Sequence, residues 1–173
     1  MNALTALLDR LARASGAAAA ASLAAIALVI GAQIVARLMG QQIPAADDFA
    51  AWAMAASAFL ALPYALRNGD HIRVTLIAQM LPMSWQRGFD TLATAIGVAL
   101  ASWAAWSVVG FVLDSWRFGE VAQGMLAVPL WIPQLSMAVG MALFALMMVD
   151  RLLRVSLGLP LSERADGEAS RTE

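Results

Sequence analysis

Residues 91–113 read TLATAIGVALASWAAWSVVGFVL, 23 positions without a charge, held between Asp90 and Asp114. A helix needs roughly 20 apolar residues to cross a hydrocarbon core of about 30 Å, because each residue adds about 1.5 Å of rise. The run is long enough, and it lacks the alternation of apolar and polar side chains that marks a lipid-facing barrel strand. A helix also bonds every backbone group within its own segment, which lipid demands. Residues 17–39, 49–66 and 129–149 pass the same test. Charges mark the edges of all four runs: Arg13, the Asp47–Asp48 pair, Arg67 with Asp70, Arg87 with Asp90, Asp114 with Arg117, and Asp150 with Arg151. The expected fold is an all-α membrane protein with four transmembrane helices.

Composition agrees. Of 173 residues, 61% are hydrophobic and 13% charged, whereas a soluble domain carries about a quarter charged residues. There is no cysteine and a single histidine, so disulfides, thiolate nucleophiles and a metal centre built on His and Cys are not expected. A net charge of −1, with no basic cluster able to track phosphates, argues against a nucleic-acid partner. Gly31, Gly40 and Gly69 are isolated, and no hydrolase elbow, zincin pair or phosphate-cradling loop is present. We expect neither catalytic residues nor a cofactor.

Orientation follows from the arginines. Arg10, Arg13, Arg67, Arg73, Arg87, Arg151, Arg154, Arg164 and Arg171 fall on one side of the four spans, and only Arg37 and Arg117 on the other. Nine against two places both termini and the middle loop in the cytoplasm. Residues 1–16 set Leu4, Leu7, Leu8 and Leu11 against Asp9, Arg10 and Arg13, the pattern of a helix lying in the cytoplasmic interface. The alternative for the first run is a cleaved signal peptide, but the run exceeds a usual signal core. Residues 71–81 repeat the interfacial pattern, with Ile72, Leu76, Ile77, Met80 and Leu81 opposite His71, Arg73, Thr75 and Gln79. The four-helix domain then occupies residues 17–155, and residues 156–173 are too polar to order themselves.

Transport chemistry is sparse. A self-sufficient ion-coupled carrier normally places carboxylates or broken helices near mid-membrane, yet no Asp or Glu lies deep in these spans. Arg37 sits near the outer end of the first span and can snorkel to the headgroups, while Gln33 suits an inter-helix hydrogen bond. His71 is read as an interfacial polar residue. Asp114, Arg117 and Glu120 step by three, so a third helix continuing past the membrane would carry them as weak surface ion pairs or as a docking edge. Trp52, Trp116 and Trp131 fall at the outer interface, and Trp103 and Trp106 lie deeper, where packing is the simpler reading. Ala93, Gly97, Ala101 and Ala105 form a row of small side chains that lets another helix approach, from this chain or another subunit.

The stretch ADDFAAWAMAASAFLALPYALRNGDHIRVTLIAQMLP, residues 46–82, resembles the small permease subunit of TRAP transporters, the DctQ-type family. The matching positions are the acidic Asp47 and Asp48, Arg67 with Gly69 at the close of the second span, His71 through Val74, and Leu81 with Pro82. A second block, GMLAVPLWIPQLSMAVGMALFAL at residues 124–146, is similar to the family's last span through Pro129, Trp131, Pro133 and Gly140. Thr75 departs from a position that is often acidic in the family. The resemblance implies a three-part system in the bacterial inner membrane. In it a periplasmic binding protein captures substrate, a large permease subunit carries it with sodium, and a small subunit enlarges the fixed scaffold. Organic acids are the usual cargo. By the same resemblance Arg67, Gly69, His71 and Arg73 meet membrane lipids or the large subunit at the cytoplasmic interface, and Asp47, Asp48, Trp131 and Pro133 meet a partner on the periplasmic side. An independent small carrier or channel, and an accessory subunit of another membrane complex, are the competing readings.

Overall fold

The computed structural model describes residues 2–68 and 83–158. They form four helices, α1 (Asn2–Leu38), α2 (Ala46–Arg67), α3 (Met83–Phe118) and α4 (Trp131–Leu157), each long and apolar enough to cross a membrane. The chain runs up and down. The start of α1, the end of α2, the start of α3 and the end of α4 share what we call the terminal end, and the connections at 39–45 and 119–130 share the loop end.

The helices outrun the charge-free runs that identify them. At 37 and 36 residues, α1 and α3 are each roughly 54–56 Å long, well beyond a bilayer core of about 30 Å. Residues 1–16, expected as a separate interfacial helix, instead begin α1 itself. No proline interrupts the segment, and Gly16, the one weak helix former near the expected break, is held at a crossing where the Tyr64 ring occupies the space a Cβ would need. Leu8 and Ala12 are buried while Leu4 and Leu7 remain exposed, so the apolar stripe is split between the bundle and its surroundings. Residues 156 and 157, expected to open a disordered tail over 156–173, are instead the last of α4; the rest of that tail from residue 159, and the interfacial helix expected at 71–81, lie outside the described residues.

The helices stand in the order α1, α2, α4, α3. Helix α2 is flanked by α1 and α4, α3 approaches only α4 among the described residues, and α1 meets α4 briefly at the terminal end. Small side chains make these contacts possible. Ala12, Ala19, Ala46, Ala101, Ala138 and Ala145 are buried, as expected where lipid removes the hydrophobic drive between helices and close backbone approach supplies the attraction. A compact cluster of Ala12, Leu66 and Met147, edged by Leu11, Phe144 and Met148, joins α1, α2 and α4.

Pro63 lies within α2 and is fully buried. It has no N–H to offer the carbonyl four residues back, that of Phe59. Gly140 of α4 packs there: a Cβ at position 140 would fall 2.5 Å from the Phe59 carbonyl oxygen. At the very next residue, the Ser15 hydroxyl of α1 donates to the Leu60 carbonyl. Both neighbours of α2 are thus fitted to its proline turn.

Candidate functional site

Helix α2 stops at Arg67, with the Asn68 N–H returning to the Tyr64 carbonyl. Helices α1 and α4 continue past it on either side, and the Arg67 guanidinium fills the space between them. Its Nε donates to Asp9 Oδ1 of α1 at 2.7 Å, its Nη1 to Asp150 Oδ2 of α4 at 2.8 Å, and its Nη2 to the Thr5 carbonyl at 3.3 Å. Arg154, one turn beyond Asp150, donates through Nε to the same Asp150 oxygen at 2.9 Å and through Nη2 to Thr5 Oγ1 at 2.7 Å. Two arginines and two aspartates form a charge-neutral set.

The side chains of Arg67 and Asp150 are each 11% exposed, whereas Asp9, on the rim, is 37% exposed. Removing one partner of a buried ion pair costs about 3–5 kcal/mol, because the remaining charge stays desolvated; the Asp9 contact is worth less, because water screens it. The planar guanidinium suits this position, since one residue reaches a carboxylate on each side and a backbone carbonyl at once. The arrangement binds three helices together. Its donors are turned on the chain itself, so it has the chemistry of a structural clasp.

Arg67, expected at lipid phosphates, therefore directs its guanidinium into the protein. Among the described residues, Arg10 and Arg13 of α1 are the exposed cations at this level. Gly69, His71 and Arg73 lie outside the described residues. In the small-residue row, Ala101 is buried, Gly97 and Ala105 are half-buried, and Ala93 is exposed. The row meets α4 of the same chain: a Cβ at Gly97 would collide with the Met148 methyl group.

At the loop end, Asp47 is exposed while Asp48 is half-buried, its carboxylate against Gly124 of the 119–130 loop where any Cβ would sit. Both aspartates lie in the first turn of α2, where the helix dipole favours negative charge. Trp131 and Pro133 are half-buried at the start of α4, and Phe49 and Trp52 stack edge to face at 5.2 Å. Helix α3 ends at Phe118 because Gly119 takes φ of +63°, a backbone state open mainly to glycine. Glu120 consequently leaves the helical series of Asp114 and Arg117, and its Oε2 accepts from the Ser115 hydroxyl at 2.6 Å. Arg37 is exposed and Gln33 half-buried. Trp103 and Trp106, at 71% and 82% exposure, face away from the rest of the chain.

Sequence reading missed the clasp. Asp9 looked like part of a solvated face, and Asp150 like a boundary marker. The available signal was that Asp9, Arg67, Asp150 and Arg154 all fall just outside the spans on the same predicted side, within about two turns of the boundary, and sum to zero charge.

No curated protein matches the chain. The family model for tripartite ATP-independent periplasmic transporters, DctQ component, matches residues 26–158. That range takes in α2, the clasp's Arg67, Asp150 and Arg154, the Pro63–Gly140 crossing and the Asp48–Gly124 and Ser115–Glu120 contacts at the loop end, and the family is one of transporter components rather than enzymes. With four helices able to cross a membrane and most of its length matched, this multi-pass membrane protein belongs to the DctQ family of small TRAP-transporter permease components.

Proposed function

We propose that the chain is the scaffold subunit of a TRAP-type secondary transporter, assembling with a large permease subunit and a periplasmic binding protein for sodium-coupled uptake of organic acids. The observation that carries this reading is where the charge lies. The ionisable side chains of the spans are gathered at the helix ends, and the buried ones are consumed in bonds between helices of the chain. Sodium and solute need polar groups that can bind and release them near mid-membrane, so the carrying step belongs to the partner.

The site is the bacterial inner membrane, with both termini cytoplasmic, in keeping with nine of eleven arginines on the terminal side. Asp47, exposed beside the occupied Asp48, with Trp131 and Pro133, is the outward-facing edge offered to a partner. Arg10 and Arg13 face the anionic headgroups of the inner leaflet, each contributing about 1 kcal/mol.

The decisive experiment is co-purification. A tagged chain expressed with its candidate large subunit retains that subunit through detergent extraction, and vesicles take up an organic acid with sodium only when both are present. Uptake by this chain alone overturns the reading. Cysteines introduced at Leu126 and at Leu4 in the cysteine-free chain test the orientation: a membrane-impermeant thiol reagent applied to intact cells modifies the first and spares the second.

A further inference from the structure

We propose that the Asp9–Arg67–Asp150–Arg154 cluster is a latch dedicated to α1, fixing the first helix to the remaining three at the terminal end so that the row moves as one body. Helix α1 stands at the edge of the row, with α2 as its only extended neighbour among the described residues. Small groups, Ala12, Ser15, Gly16 and Ala19, make much of the α1 side of that seam, with Leu8 and Leu11 adding apolar contact toward the terminal end. Lipid competes with such contacts on nearly equal terms, because apolar side chains gain little by leaving one apolar medium for another. Helix α2 stops at Arg67, and among the described residues the first turns of α1 then have only the end of α4 beside them. There the links are polar: Asp9 to Arg67, the Thr5 carbonyl to Arg67, and the Thr5 hydroxyl to Arg154. Asp150 bonds the two arginines through a single oxygen, and so aims both at α1.

Arg67 and Asp150 also tie α2 to α4, but the remaining seams have further contacts of their own. The α2–α4 seam has the Gly140–Phe59 approach and the Leu66–Met147 contact, and the α3–α4 seam has Gly97 under Met148. Loss of the latch therefore releases α1 and leaves the other three helices together. The latch is a property of the chain alone, independent of which partner it takes.

The full chain contains no cysteine, so spin labels can be placed at will and read in lipid nanodiscs. One pair, at Leu4 and Leu92, reports α1 against α3; a second, at Met54 and Leu92, reports α2 against α3. All three positions are exposed. Each pair is expected to give one narrow distance in the unmodified background. Arg67→Gln is expected to abolish the narrow distance of the first pair and keep that of the second. Asp9→Asn, which leaves Arg67, Asp150 and Arg154 in place, separates release of α1 from general misfolding and is expected to broaden the first pair alone. An unchanged first pair in both variants overturns the proposal, as does equal broadening of both pairs in Asp9→Asn.

Discussion

The two ends of the molecule hold similar side chains and use them differently. At the terminal end Arg67, Arg154, Asp9 and Asp150 converge from three helices and are largely withdrawn from the surface. At the loop end Arg37, Asp47, Asp114 and Arg117 are exposed. The carboxylates there meet uncharged groups: Asp48 lies against Gly124, and Glu120 accepts from Ser115. Moreover, Gln134 near the start of α4 is buried with its amide oxygen unpartnered among the described residues. The difference teaches that an arginine at a membrane boundary is not defined by its depth. Arg67 and Arg37 both close a predicted span, yet only Arg67 has carboxylates from two neighbouring helices within reach.

The contrast is broken most directly at Asp150. Asp150→Asn leaves two desolvated arginines with one rim carboxylate, a loss of about 3–5 kcal/mol. It is expected to lower the thermal midpoint of the purified chain far more than Asp114→Asn does; equal midpoints would remove the distinction between the ends. Next is Gly140→Ala, which forces a methyl group onto the Phe59 carbonyl and is expected to cost about 1–3 kcal/mol through overpacking, read from the same melt. Gln134→Met removes an unpaired buried amide, and is expected to be neutral or to stabilise by about 1 kcal/mol; a clear loss would mean the loop end holds a bonded polar group after all. Smallest is Arg117→Gln, an exposed change expected to stay within about 0.5 kcal/mol of the parent.

The four helices were legible because long charge-free runs leave lipid-spanning helices as the one economical reading. Their ends were not. Charges mark where a helix leaves the hydrocarbon, not where its backbone stops, and so α1 absorbed residues that looked like a separate interfacial helix. The family motifs singled out Arg67 for contact with lipid or a partner, whereas its bonding partners Asp9 and Asp150 stand 58 and 83 residues away in the same chain, and no local pattern joins them. The small-residue row on α3 was visible from spacing alone, whereas its neighbour had to be seen. Gly97 beneath Met148 settles that part of the row on α4 of the same chain. Pro63 and Gly140 illustrate the same limit: each is readable singly, while their meeting at Phe59 is a fact of packing.

The order α1, α2, α4, α3 has one more implication. Among the described residues, the helices stand side by side in single file and enclose no lumen. Such a wall can steady or delimit a neighbour's movement, but it offers a solute no passage through its own thickness.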